Sequence, residues 1–484
     1  MNFSTIISAT VVLALSIFLL QWSKFGITTT SFSSSRELTA DLIVKNGVIF
    51  TSDDSLPFAD SFAVQNGRIL RVGNYSSLQD LAGNGTKVVN LEGKLVVPGF
   101  IDSHVHLIFG GLQMIRVELR GVNQKDEFVR RVRDAVRNLK EGSWVLGGGW
   151  NNDLWGGELP AASWIDDIAP KNPVWLTRMD GHMGLANSVA LKLAGINNLL
   201  EDPNGGTIMR SANGEPTGLI IDAAMKLILS YIPEVSVDEK REALLIAGNL
   251  ALMSGVTTVV DFGRYFPGAS VEHSWEDLSD VYQWADSLGK MRIRVCLFFP
   301  METWSRLSDL ITKVGRALSD WIYLGGVKAF ADGSLGSNSA LFYEPDHLLD
   351  DADSAIKKLG MDRAQNGSYQ FRSLLSSNAQ LALGSDWPVA NINPLGGIKT
   401  AVKRIPPGWE NAWIPSECLS LKDAIIAHTI SAARACFLDC DLGSLSPGKL
   451  ADFVILSTNS WDDFETEASA AVEATYVAGA QAYP

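Results

Sequence analysis

The chain has 484 residues, 46% of them hydrophobic and 19% charged, with 43 glycines and 18 prolines. That is enough for a large core and points to two or three domains, or one large α/β domain with an appendage. A formal net charge of −14 with no stripe of Lys or Arg excludes nucleic acid as a natural partner, and four cysteines make no disulfide framework.

The first feature in chain order is an uncharged apolar stretch, Thr5–Trp22, followed by Lys24 and a Ser/Thr-rich spacer ending near Arg36. Its length falls between a signal-peptide core and a full membrane span of about 20 residues. No clear small-x-small cleavage site follows. Residues 1–40 therefore read as a retained signal anchor and spacer, with membrane contact through 5–22 and the body in the lumen of the secretory pathway. Sequons at Asn74, Asn84 and Asn366 become glycan acceptors if the body faces that lumen.

Residues 41–98 read as short strands. "DLIVKNGVIF" and "FAVQNGRILRVG" each set Asn-Gly between apolar alternations, the pattern of a two-residue hairpin. A similar texture returns in 438–484, at "GSLSPGKLADFVILS" and "EATYVAGAQAYP". Two β-rich ends around an α/β middle imply one small β domain built from both ends of the chain, with two unrelated β caps as the alternative.

Between them, residues 99–437 alternate strand-like and helix-like segments. The strands are "LVVPGFID", "VTTVVDF", "RIRVCLFF", "LGGVKAF" and "AQLALGSD", with "PVWLTR" a further candidate. "REALLIAGNLALMSG" and "LKDAIIAHTISAARACFL" read as helices. Such alternation implies parallel βα units, and a β/α barrel is the largest common solution. "FVRRVRDAVRNLKEG" sets Val129, Val132, Val136 and Leu139 on one helical face, so its charges read as a solvated side. Cys436 and Cys440 read as packing residues.

The chemistry begins at "LVVPGFIDSHVHLIFGG", residues 95–111. Side chains at i, i+2 and i+4 of a strand share a face, so Asp102, His104 and His106 are expected to point together near the strand's C-terminal end. Neutral imidazoles suit zinc and similar divalent ions, and Asp102 is placed to orient them or share a bound water. In "GSDWPV", Asp386 stands where a strand must end before Pro388. It can act as metal ligand and proton carrier, or as a plain helix N-cap. In "GGVKAFADGSLGSNSAL", Lys328 is either a lysine that takes up carbon dioxide as a metal-bridging carbamate or a snorkelling surface residue. The Gly-rich loop after it lacks the Gly-Lys-Ser/Thr signature of a phosphate cradle.

"PGFIDSHVH", "VKAFADGSLGS" and "LGSDWPV" together resemble the amidohydrolase superfamily, in the branch of YtcJ-like and N-substituted formamide deformylase-like enzymes. "GGWNNDLWGGELPAASWIDDIAPKNPVWLTRMDGHMGLANSVALKLAGI", "GGTIMRSANGEPTGLIID" and "LGSLSPGKLADFVIL" agree, and the likeness runs from about residue 41 to the end. With the anchor, the chain is similar to plant members of the branch. The resemblance implies a (β/α)8 TIM-like barrel, an insertion at about 143–220, a β-sandwich, one or two divalent metal ions and hydrolysis of C–N bonds in small molecules. It makes His104 and His106 first-strand metal ligands, Lys328 the lysine carbamylated in some members, and Asp386 both metal ligand and catalytic acid/base. Arg178, Asp180 and His182 of "RMDGHMG" then lie near the substrate, with a polar turn as the alternative.

That family also carries two more ligand histidines, in strands resembling "HAIGD" and "EHAQ". The six histidines here are His104, His106, His182, His273, His347 and His428, and none lies in such a motif. Lys328 and Asp386 are 58 positions apart (386 less 328), whereas four βα units of about 30 residues would need roughly 120. The barrel is therefore expected to be short by about two βα units, with a deletion near 350–378, as a splice variant or a gene-model error would produce. "SYQFRSLL" could serve as a borrowed strand. At most one metal ion is then expected. The function reads as a metal-dependent amidohydrolase impaired by that loss, or as a membrane-anchored inactive variant with a binding or regulatory role.

Overall fold

The computed structural model describes residues 39–484 other than 138, 179–182, 266–269 and 330–346. Seven short strands occupy its first part: β1 (Leu42–Lys45), β2 (Val48–Phe50), β3 (Phe58–Ala59), β4 (Ser61–Gln65), β5 (Arg68–Gly73), β6 (Lys87–Asn90) and β7 (Leu95–Pro98). β8 (Phe100–Val105) follows. A separate set then comprises β9 (Val117–Glu118), β10 (Val145–Trp150), β11 (Val174–Arg178), β12 (Met183–Ala186), β13 (Gly206–Arg210) and β14 (Pro216–Asp222). β15 (Val256–Asp261), β16 (Arg294–Pro300) and β17 (Ile322–Lys328) carry on from β8, and β18 (Phe453–Leu456), β19 (Val472–Val477) and β20 (Ala480–Tyr483) end the chain.

The two ends meet in a six-stranded sheet of order β20-β19-β18-β7-β2-β3, where β18 runs antiparallel to β7. A four-stranded sheet, β5-β4-β1-β6, shares its core. There the Phe62 ring meets Phe453 edge-on at 5.0 Å, and Phe453 stacks on Tyr476 at 4.3 Å. The two Asn-Gly pairs behave differently. Asn66 and Gly67 (φ 50° and 74°) close a tight hairpin between β4 and β5, with Gln65 opposite Arg68. Asn46, at φ 59°, makes no hairpin, because β1 and β2 enter different sheets. Leu42, Ile43 and Val44 are all buried, so β1 is covered on both faces and pairs with β4 and β6 instead.

β17-β16-β15-β8 form a parallel sheet. Its crossover helices fit the sequence pattern: Val237–Met253 opens with a capping box between Ser236 and Glu239, and Trp304–Val314 joins β16 to β17. "PVWLTR" supplies β11, which belongs to a separate six-stranded sheet β13-β14-β12-β11-β10-β9 and not to the parallel sheet. The Lys125–Val136 helix buries Phe128 and Val132 while Leu139 beyond it is exposed, so the buried stripe lies closer to Phe128 than the valine spacing suggests.

Two sequence expectations fail after Lys328. "SYQFRSLL" carries the helix Phe371–Ser376, following helices His347–Leu359 and Met361–Gly367, and contributes no strand. "AQLALGSD" lies along β8 without becoming a strand. Leu383 accepts from Ser103 N (3.2 Å) and His104 O accepts from Asp386 N (2.7 Å), but Leu383 N turns away to the Ala427 carbonyl (3.1 Å) at a helix end. With a helix end on its far side, the segment keeps a single parallel bridge, Val105 to Trp387.

Asn74, Asn84 and Asn366 are exposed. Cys436 is buried, in one apolar cluster with Cys296, and Cys440 is exposed. Among the described residues no helix is long and apolar enough to cross a membrane; the stretch 5–22 lies outside them.

Candidate metal centre

β8 delivers His104, and His106 follows at the start of the helix Leu107–Met114. Asp386 arrives from the segment hydrogen-bonded along β8. Its Oδ1 lies 3.5 Å from His104 Nε2 and 3.5 Å from His106 Nε2. One ligand atom from each of the three fits within 4.8 Å of the others, the sole such group of three among the described residues. Lys328, at the end of β17, brings its Nζ to 3.3 Å from His104 Nε2 and 4.7 Å from the Phe262 ring centre. The chain thus gathers residues 104, 106, 328 and 386 at one point.

Close approach is obtained with glycines. A Cβ on Gly384 would lie 2.5 Å from His104 N, and one on Gly110 would strike the Trp387 ring at 2.3 Å. Asp386 itself sits at φ 54°, a left-handed conformation that costs a non-glycine residue roughly 1–2 kcal/mol and turns its carboxylate away from the extended path.

The second nitrogen of His106 fixes its tautomer. Nδ1 lies 2.6 Å from the Gly263 carbonyl, which can only accept, so Nδ1 carries the proton and Nε2 presents its lone pair beside Asp386. Burial pushes the His106 pKa down to about 4, keeping the ring neutral at ordinary pH. Gly263 is held in turn by Asp261, a fully buried carboxylate at the end of β15. Asp261 Oδ1 accepts from Gly263 N (2.9 Å) and Leu107 N (3.0 Å), and Oδ2 accepts from the Tyr282 hydroxyl. Sequence reasoning missed Asp261, although an apolar strand ending in Asp, "VTTVVD", was a readable signal.

Asp102 departs from its sequence expectation. Its Oδ1 accepts from His104 N (3.2 Å) and Ser385 N (2.9 Å), and Oδ2 from Ser385 Oγ (2.6 Å). It clamps the Asp386 segment to β8; its carboxylate bonds Ser385 and the His104 backbone, not the imidazoles. Burial raises its pKa to about 6 against those hydrogen bonds.

Arg178, at the end of β11, donates to Asn152 Oδ1 (3.1 Å) and Asn151 Oδ1 (3.0 Å) and lines a cavity of about 570 Å³, outside the three-residue cluster. Asp180 and His182 lie outside the described residues. His273 lines the same cavity, and His428 is buried with Nδ1 2.9 Å from the Ala424 carbonyl.

A parallel α/β sheet whose first strand ends in two metal-suited histidines facing an aspartate defines the class of metal-dependent hydrolases. The profile of the amidohydrolase family matches residues 87–353 and 344–483, and the chain belongs to that family. It is 57% identical to Protein LONG AFTER FAR-RED 3 of Arabidopsis thaliana, over 96% of this chain and 94% of that one. It is 27% identical to the putative amidohydrolase YtcJ of Bacillus subtilis (85% and 93% covered). It is 26% identical to N-substituted formamide deformylase of Arthrobacter pascens (87% and 94% covered). An uncharacterized metal-dependent hydrolase from Pyrococcus furiosus superposes with a TM-score of 0.65 at 23% identity, covering 86% of this chain and 99% of that one. The fold is therefore of the TIM-barrel α/β type.

One feature of these matches concerns the stretch after Lys328, and a second the length of the chain. The family match breaks into two pieces that meet at residues 344–353. The alignment with the Arabidopsis protein runs over 555 positions against 484 residues here, so at least 71 of its positions (555 less 484) face no residue of this chain.

Proposed function

We propose that the chain is a metal-dependent hydrolase of a C–N, amide-like bond in a small molecule, using His104, His106 and Asp386 with Lys328 beside them. The carrying observation is the meeting of those three ligand atoms within 4.8 Å, with His106 held neutral and aimed by Gly263. The donor set fits one divalent ion, with zinc first, since two imidazoles and a carboxylate are a common catalytic zinc set. Such an ion supplies a Lewis acid and a bound water of lowered pKa. Asp386 takes the proton from the attacking water and passes it to the departing nitrogen. Lys328 either stands as a cation beside His104 or, as a carbamate, adds an oxygen ligand. Thr5–Trp22 anchors the chain to a membrane of the secretory pathway, a reading that rests on its sequence.

A second reading, a binding or regulatory variant without catalysis, is supported by the broken family match and the unmatched positions of the Arabidopsis alignment. Both fit a chain that lacks the segment carrying two further ligand histidines. Metal analysis of the full-length chain by plasma mass spectrometry separates the readings. About one ion per folded chain, lost in His104→Ala and Asp386→Ala, together with turnover of N-acyl or N-formyl amines, supports the hydrolase. A folded chain without metal refutes it and leaves the second reading.

A further inference from the structure

The cavity of about 570 Å³ lies against the helices Leu107–Met114 and Val237–Met253 and the six-stranded sheet that holds β9, β10 and β11. Its size suits a small molecule, and Phe109, Leu146, Trp175 and Ile232 give it apolar walls. Its charges are sorted by depth. The acids that line it, Glu118, Glu234 and Glu276, are all exposed; of the bases Arg120 is exposed too, whereas Arg116, Arg178 and Arg264 are half-buried and Lys240 is buried. A recessed positive floor inside an acidic rim favours an anion over a cation.

The recessed bases are not equivalent. Lys240 Nζ lies 3.0 Å from Asp277 Oδ1, and Arg264 grips the same carboxylate with Nε (2.7 Å) and Nη2 (2.9 Å). Two cations thus share one buried anion and leave an excess of positive charge. Arg178 is held by Asn151 and Asn152. The Arg116 side chain donates to no described residue. Burial pulls its pKa below the usual guanidinium range, with the charge of Glu239 only partly opposing that. A half-buried guanidinium that donates to no described neighbour keeps its fork open toward the cavity, and a carboxylate seated there would accept both of its hydrogen bonds.

The cavity also borders the metal centre along the chain. Phe109 stands three residues after His106, and Arg264 directly follows the Gly263 that aims His106. Arg120, another lining residue, donates to the carbonyl of Val389 (3.0 Å), three residues beyond Asp386.

We propose that this cavity binds the carboxylate of an amide substrate through Arg116, so that the substrate class is an N-acyl amino acid. For the fate of the ligand this rests on the hydrolase reading: the oxygen of water bonds to the acyl carbon, the C–N bond breaks, and the nitrogen leaves with a proton. The products are a carboxylic acid and a free amino acid. Binding itself needs no turnover.

The test is calorimetric titration of the full-length chain, at fixed ionic strength, with N-benzoylglycine and its neutral counterpart N-benzoylglycinamide. The acid is expected to bind at least tenfold more tightly than the amide. Arg116→Met is expected to erase that preference while its Tm stays level, because the side chain it replaces donates to no described residue. His104→Ala is expected to keep the preference, so failure of the metal chemistry and failure of the anion site read differently. Equal binding of the two compounds, or no binding of the acid, overturns the proposal on the unaltered chain whether or not the variant folds. A folded Arg116→Met that still prefers the acid, or that loses several degrees in Tm, overturns Arg116 as the anchor.

Discussion

The Ser385 hydroxyl donates to the buried carboxylate of Asp102 at 2.6 Å, joining residues 283 positions apart. The Ser385 amide adds a second bond to the same side chain at 2.9 Å. Because Asp386 is the next residue, this clamp sets where its carboxylate meets the histidines. Ser385→Ala removes the hydroxyl and leaves Oδ2 of a buried carboxylate without that donor, at a cost of about 1–3 kcal/mol. Urea unfolding at pH 7.5 measures it. A variant as stable as the parent would mean that the clamp does not hold the segment.

A second support reaches His106 from behind. Asp261 fixes Gly263, and the Gly263 carbonyl fixes the imidazole. Asp261→Asn halves the acceptors available to Leu107 N, Gly263 N and the Tyr282 hydroxyl. A loss of about 10–100-fold in metal affinity is expected, the usual effect of removing a partner that orients a ligand. Tyr282→Phe keeps the ring and removes one bond, so its loss should be smaller. Competition with a zinc chelator gives both numbers. Unchanged affinity in a folded Asp261→Asn would dismiss the relay.

The end of the chain is locked to the parallel sheet by an ion pair. Arg294, on β16, meets Asp452 with two bonds, Nε to Oδ2 at 2.9 Å and Nη2 to Oδ1 at 3.0 Å, and the side chains are 1% and 5% exposed. Asp452 Oδ1 also accepts from Ala478 N at 2.7 Å, just before β20. Asp452→Ala strands a buried guanidinium and should cost about 3–5 kcal/mol, whereas Arg294→Met with Asp452→Leu should cost far less. Equal losses in the single and double variants would show that packing at this joint outweighs charge.

The parts of the site that sequence made legible are those where local pattern and chemistry coincide. His104 and His106 stood at a strand end after Pro-Gly, and Asp386 stood in a turn before a proline, and geometry brings both features together. What stayed hidden depends on partners far along the chain. β8 shifts register against β15 between Asp102 and Val105, and Ser385 captures the Asp102 carboxylate; nothing near residue 102 announces either. The two Asn-Gly pairs carry one local signal, and only the two-sided burial of β1 separates a hairpin from a crossing between sheets. "AQLALGSD" has strand composition but a helix end on its far side, so it cannot complete a ladder. Arg116 was unreadable because its meaning is the lack of an acceptor, which only tertiary structure reveals.

His428 makes stability depend on pH in a defined direction. It is buried, its Nδ1 lies 2.9 Å from the Ala424 carbonyl, and burial pushes its pKa from 6.5 down to about 4. The unfolded chain therefore binds a proton between these values while the folded chain does not. By linkage, stability from this residue is complete above pH 6.5 and drains away as the pH falls toward 4. The full swing is about 3 kcal/mol. His428→Met keeps an apolar side chain of similar bulk but cannot titrate or donate. At pH 7.5 it should be less stable than the parent by about 1 kcal/mol, the worth of the lost hydrogen bond. Toward pH 4.5 that deficit should shrink and then reverse, because the parent alone loses stability through this site. Subtracting the two unfolding free energies at each pH cancels the opposite slope contributed by Asp102, whose pKa is raised to about 6 in both proteins. A difference that stays constant from pH 7.5 to 4.5 would mean that His428 is already protonated, or solvated, in the folded state.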